Sequence, residues 1–202
     1  TSAHRFGLDE DNNSTITALS VANITPVSIA SGSSLLGGIT VSAGSLKLNE
    51  TGTLASTIAM SGGVLDADES STVSGALSHT ADITIDVATS KTLTYSGTAI
   101  SLGANTLTLS GGGSLVSGGL TLNDPSSKLL LNSITVDNVS TSANSLGLDV
   151  DNNSTITALS VANITPVAIA SGSSLLGGIT VTAGSLKLTE AGTLASTIAM
   201  SG

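Results

Sequence analysis

Apolar residues in this chain come in short pairs separated by a single residue. The pairs Phe6/Leu8, Val27/Ile29, Leu46/Leu48, Leu65/Ala67, Ile83/Ile85, Leu107/Leu109, Leu129/Leu131 and Leu146/Leu148 recur at steps of 17 to 24 residues, 20 on average. A second row of single aliphatic positions keeps pace: Ile16, Leu35, Leu54, Val73, Leu93, Leu115, Ile134 and Ile156. A third row runs Leu19/Val21, Ile39/Val41, Ile58/Met60, Leu77, Ile100/Leu102, Leu120/Leu122, Val139 and Leu159/Val161. Alternation with a period of two marks a strand with one face buried. No stretch sustains a helical period, and Gly, Ser, Thr and Asn throughout disfavour helix. Each turn of about 20 residues therefore carries three short strands.

A fourth row closes each turn: His4, Asn23, Gly44, Gly63, Asp82, Asn105, Asp124, Asn144 and Asn163. All but His4 are Gly, Asn or Asp, the types that tolerate a left-handed backbone. Positive φ is therefore expected at Asn23, Gly44, Gly63, Asp82, Asn105 and Asn163. Three strands per turn with a recurring corner describe an all-β chain, a parallel β-helix or β-solenoid. The uneven turn length fits a right-handed coil with elastic loops better than a strict left-handed hexapeptide one. Each strand would pair with its equivalents one turn above and below, about 4.8 Å away. Leu46, Leu54, Ile58, Leu107, Leu120 and Leu129 should then point inward, and Lys47, Thr108 and Thr121 outward.

Seven such turns close a much longer repeat. Residues 1–62 return as 141–202, changed at eight positions only: His4/Asn144, Arg5/Ser145, Phe6/Leu146, Glu10/Val150, Ser28/Ala168, Ser42/Thr182, Asn49/Thr189 and Thr51/Ala191. Residues 1–140 thus read as one complete unit and 141–202 as the start of a second, in one continuous solenoid. The expectation is a window from a longer repetitive protein, with a structural rather than an enzymatic role.

Composition narrows the classes. Hydrophobic residues make up 40% of the chain but aromatics only 1%, Phe6 and Tyr95, so the core must be narrow and aliphatic. Charged residues are 9%, against roughly 25% in ordinary domains. The net charge is −9, and the five basic residues, Arg5, Lys47, Lys91, Lys128 and Lys187, form no cluster. A nucleic-acid footprint is therefore missing. Without Cys there is neither a disulfide framework nor a thiolate metal site. No apolar run approaches the ~18–20 residues of a membrane span. So weakly charged a surface is expected outside the cell or at its surface.

The motifs Gly44-Ser45-Leu46-Lys47-Leu48, Gly52-Thr53-Leu54 and Ile58-Ala59-Met60-Ser61-Gly62-Gly63 resemble the β-helical repeats of bacterial autotransporter passengers and giant surface adhesins. The resemblance implies a secreted, rod-like, surface-displayed protein. It carries over no functional residue, because the shared pattern is architectural.

Few side chains suggest chemistry. Asp9, Asp11 and Asn13, returning as Asp149, Asp151 and Asn153, place side-chain oxygens at alternate positions, a spacing that suits calcium. The competing reading is an acidic, turn-favouring loop, and Glu10/Val150 shows that the intervening position is not required. No other cofactor is expected. Asp66, Asp68 and Glu69 gather carboxylates of the kind glycosidases use, yet no basic or aromatic residue is near in sequence to hold a sugar, so solvated loop charge is the preferred reading. His79 aligns with the inward Met60, as a structural histidine would. Thr106-Leu107-Thr108 has the pattern of an ice-binding array, but the outward residues of the first strand row are too mixed for one. Asn13, Asn49 and Asn138 begin matches to N-glycan acceptors. The function expected is a structural segment of a long extracellular fibre or adhesin stalk, self-assembling by continuous strand stacking with copies of itself as partners. The alternative is a carbohydrate-active β-helix enzyme or glycan-binding module with a groove at Asp66, Asp68 or Tyr95.

Overall fold

The computed structural model describes residues 15–22, 27–29, 34–35, 38–141, 147–150, 154–162, 167–169, 174–175, 178–183, 186–188 and 196–201. Every regular element in them is a strand, and every pairing between strands is parallel, so the chain is a β-solenoid of stacked coils. On the first face seven strands lie in chain order. They run from Val27–Ile29 through Ser45–Leu48, Val64–Ala67, Ile83–Val87, Thr106–Ser110 and Lys128–Leu131 to Gly147–Val150. The second face carries Gly52–Leu54, Ser71–Val73, Thr92–Tyr95 and Ser114–Val116. The third begins as a sheet of four, Leu19–Val21, Ile39–Val41, Ile58–Met60 and Leu77–His79.

The core is the space enclosed by these faces, filled by stacked aliphatic side chains. Leu46, Leu107, Leu120 and Leu129 are fully buried, and Ile58 and Leu54 nearly so, as their place in the pattern requires. Lys47, Thr108 and Thr121 lie on the solvent side of their strands, partly exposed. Within each strand the burial alternates, as in Ile83–Val87, where Ile83, Ile85 and Val87 are inside.

The stacking register departs from the sequence reading in two rows. Alignment by motif sets Ile83 above Leu65, but the structure sets Ile85 there and Val87 above Ala67. That register rests Val87 on the lower strand and lets Ala88 N donate to Ala67 O at 3.0 Å. In the second row Val73 meets Tyr95 rather than Leu93, and Leu115 meets Val136 rather than Ile134. Each difference is two residues, so no side chain changes face. The third row stacks as read from Leu19↔Ile39 to Ile58↔Leu77 and again from Ile100↔Leu120 to Leu159↔Ile179, but Leu77 and Ile100 do not pair.

The corners divide by chemistry. Gly44 and Gly63 have φ of 75° and 81°, as expected. Asp82, Asn105 and Asp124 do not adopt positive φ; Ser90 and Ser133 are the non-glycine residues that do so among the described residues. The expectation fails there because Asp and Asn turn the chain by another route, using the side chain as a hydrogen-bonding group. Asp82 Oδ1 accepts from Thr106 N at 2.7 Å, Asn105 Nδ2 donates to Leu102 O, and Asp124 Oδ1 accepts from Ser126 N at 2.8 Å. His4, Asn23, Asn144 and Asn163 lie outside the described residues.

Two further features shape the coil. Between Leu77–His79 and Ile100–Ser101 the third face is interrupted, since the two strands do not pair. Tyr95, 4% exposed, fills this seam from within, and its hydroxyl accepts from Leu77 N at 3.1 Å. A Cβ on Gly97 would overlap the Tyr95 ring and hydroxyl, so glycine is what admits the ring. Above the seam, Thr135–Thr141 and Thr155–Ala162 run unbroken from the second face onto the third. The first bends where Asp137 and Asn138 both face outward, between the buried Val136 and Val139.

Candidate functional site

The densest chemistry lies on the outer side of the first face. Lys47 stands one turn below Asp66 and in register with it, and Asp86 stands one turn above Asp66. Lys47 Nζ lies 2.5 Å from Asp68 Oδ2 and 3.3 Å from Asp66 Oδ2, so both carboxylates share one ammonium. Lys91 Nζ lies 2.5 Å from Glu69 Oε2, and Ser110 donates to Asp86 Oδ1 from the next turn. The sequence reading missed the two lysines, because they neighbour the acidic cluster across turns, 19 and 25 residues from Asp66. The cluster is a ladder of ion pairs linking successive coils rather than free loop charge.

Burial first, and then the adjacent Asp68 charge, raise the Asp66 carboxyl above its ordinary value despite the attraction of Lys47. The hydrogen bond to Asp68 is the largest influence raising Lys47 above its own. Two carboxylates tied to the same ammonium do not flank an open gap, as acid and base about a glycosidic bond must. Tyr95 is enclosed in the core and presents no ring to a sugar. Tyr95 therefore lines no groove with Asp66 and Asp68.

Of the calcium set, Asp9, Asp11, Asn13, Asp151 and Asn153 lie outside the described residues. Asp149 is described in its backbone, which belongs to the strand Gly147–Val150 and pairs with Leu130. Among the described residues no three His, Asp or Glu side chains are grouped to hold a metal ion. His79 does point inward, paired with Met60. Its Nδ1 donates to Ala81 O at 3.2 Å, while Nε2 is buried with no partner.

The sequence reading also passed over the outer row of the third face. From bottom to top it reads Ser20, Thr40, Ala59 and Ser78, and beyond the seam Ser101, Thr121, Ser140, Ser160, Thr180 and Ala199. Every member is small and uncharged. Thr121, Ser140, Ser160 and Thr180 border a shallow groove of about 290 Å³, and Thr121 and Ser140 hydroxyls are hydrogen-bonded at 3.2 Å. A second groove, about 240 Å³, runs beside Thr53, Thr72 and Thr94 on the second face. The signal was available as the middle residue of each third-row pair.

The chain matches no known family model, no curated protein and no solved structure.

Proposed function

We propose that this chain is a structural segment of a long repetitive extracellular fibre or surface adhesin stalk, without enzymatic activity. The observation that supports it best is the stacking of aliphatic rows through parallel pairing, carried by a sequence that repeats with eight changes in 62 positions. A repeat of this kind adds stability with length, because each coil buries its neighbours. A stiff spacer gains from this, whereas a catalytic site has no use for near-identical copies of itself. The ion-pair ladder on the first face fits the same role, since Lys47 and Lys91 each tie a coil to the next. A secreted or surface-displayed setting agrees with a nearly uncharged Ser/Thr exterior and with the likeness to adhesin repeats. Electron microscopy of the native material, combined with surface labelling of the source cells, tests the reading. Rods or fibres at the cell surface are expected; isolated compact particles inside the cell would overturn it.

A glycan-binding module is the second reading, favoured by the hydroxyl-lined grooves on the second and third faces. Hydroxyls suit neutral sugars, but no exposed aromatic ring accompanies them among the described residues. Retention on a panel of neutral polysaccharides would support it.

A further inference from the structure

On the third face, coils are clasped to one another at a recurring point. The first residue of a strand donates its N–H to the carbonyl just ahead of the strand above: Ile39 N to Thr57 O at 2.8 Å, Ile58 N to Ala76 O at 2.8 Å, and Ile100 N to Gly119 O at 2.9 Å. At Leu77 this clasp changes. Its N–H goes to the Tyr95 hydroxyl at 3.1 Å, and the strands Leu77–His79 and Ile100–Ser101 do not pair. Both strands lie inside residues 38–141, which are described without a break, so the gap belongs to the body of the solenoid.

The same step between coils is closed on the other two faces. Val64–Ala67 pairs with Ile83–Val87 on the first, and Ser71–Val73 with Thr92–Tyr95 on the second. Ala88 N adds a bond to Ala67 O, and Ser96 N one to Val73 O, each at 3.0 Å. A step held on two sides and latched by a side chain on the third has the geometry of a hinge. Residues 96–99, which lead from the second face to Ile100, supply the slack, with Ser96, Thr98 and Ala99 exposed. Opening breaks no strand ladder on the third face. It gives up the Tyr95 bond and some cover over Leu77, which is only partly buried where Ile58 is 1% exposed. It also lets water reach His79 Nε2, buried without a partner on the lower strand, and hydration of that atom offsets part of the cost.

We propose that the solenoid bends at this seam. The coils on either side part on the third face and stay joined on the first and second, with the Tyr95 hydroxyl as the latch. Opening turns a straight rod into one bent towards the first and second faces. The proposal stands apart from the fibre reading, since it concerns one step between coils whatever the rod is used for.

The chain has no Cys, so paired cysteines can carry spin labels to chosen positions. On the outer row of the third face, Thr40 and Thr121 lie four coil steps apart across the seam, and Ser101 and Thr180 four steps apart above it. Either spacing is about 19 Å in a straight stack. Double electron–electron resonance on the 202-residue chain should give one narrow distance for the Ser101/Thr180 pair. The Thr40/Thr121 pair should give a similar distance and a second, longer population. Tyr95→Phe should raise that population about fivefold, the effect of one ordinary hydrogen bond lost from the closed form alone. Hydrogen exchange at Ala88 and Ser96 should stay slow in both proteins, because the other two faces hold. Circular dichroism melting checks that each variant folds. If Tyr95→Phe does not, Gly97→Ala reads the same latch, since its Cβ would overlap the Tyr95 hydroxyl. A single narrow Thr40/Thr121 distance in wild type and latch variant overturns the hinge. So does a longer population of equal size in both label pairs, or one that the latch variants leave unchanged. Exchange at Ala88 and Ser96 as fast as at Leu77 would also overturn it, by showing that the coils part on every face.

Discussion

At the scale of single residues, the solenoid tolerates little at three kinds of position. Leu107 is fully buried between Ile83 and Leu129. Leu107→Ala should cost about 2–5 kcal/mol in urea titration, the usual range for an emptied leucine site. Leu107→Asp should abolish the folding transition, because an unpaired carboxylate in the stack is far costlier. Gly63 combines φ of 81° with a Cβ position 2.6 Å from Gly44 O, so Gly63→Val pays for both strain and overlap. Its loss should clearly exceed the roughly 1–3 kcal/mol of backbone strain alone. Asp82 sits at the same corner position without the unusual backbone. Asp82→Ala should therefore cost only about 1 kcal/mol, that of one lost hydrogen bond to Thr106 N. If Asp82→Ala proved as damaging as Gly63→Val, the division of corners by chemistry would be wrong.

The ion-pair ladder belongs to this scale too, and its pH dependence has a definite sign. Asp66 binds its proton more tightly folded than unfolded. Its ionised form therefore opposes folding, and stability on its account rises as pH falls through its folded pKa towards the ordinary carboxylate value. Asp66→Asn should leave stability at pH 7 unchanged or higher and flatten its dependence on pH on the acid side. Lys47, also raised, acts in the same sense at higher pH: its contribution is present below about 10.5 and is lost as pH rises through the higher folded value. Thermal melts of wild type and Asp66→Asn across this range measure both. A fall in neutral-pH stability for Asp66→Asn would show that the pair with Lys47 outweighs burial.

At the scale of elements, the seam in the third face is held by one side chain. Tyr95 occupies the core and accepts a hydrogen bond from Leu77 N, a backbone donor with no strand above it. Tyr95→Phe keeps the ring and removes the acceptor, leaving a backbone N–H without its partner. A loss of about 1–3 kcal/mol is expected from an unsatisfied buried donor. Amide exchange should speed up at Leu77 more than at Ile58, whose donor is held by Ala76 O. Equal protection at Leu77 in both proteins would mean that the tyrosine merely fills space.

At the scale of the whole molecule, stability is expected to vary along the axis, because each coil leans only on its neighbours. Hydrogen exchange should be slowest between residues 83 and 131, where coils are covered on both sides, and faster in the loops that join the strands. Calcium offers a separate check on the acidic segments at Asp9 and Asp149. Adding the ion, or a chelator, is expected to leave the melting temperature unchanged, as it would for turn-favouring loops. A rise with calcium would instead assign Asp9, Asp11 and Asn13 and their counterparts as ligands, since binding to the folded form alone raises stability.

Much of this architecture was open to reading from the residues. Which side chains face inward follows from a period of two, a local property that each strand states by itself, so Leu46, Ile58, Leu107 and Leu120 are where the pattern puts them. The third row even stacks as aligned on either side of the seam between Leu77 and Ile100. The position of Lys47 beside Asp66 was missed although it was legible, the two being one turn apart in a regular stretch. What the folded chain alone decided is which inward residue rests on which. Ile83 and Ile85 are alike in size and face, and shifting by two costs no burial, so only contacts across turns could choose: Val87 seated on Ala67, and Ala88 N on Ala67 O. That choice brought Asp86 beside Asp66, and the second-row shift brought Tyr95 above Val73 with its hydroxyl at the seam. The corners were undecidable for a related reason. Gly and Asp both turn a chain, one through its backbone and the other through a hydrogen bond whose partner, Thr106 N, lies 24 residues away in sequence.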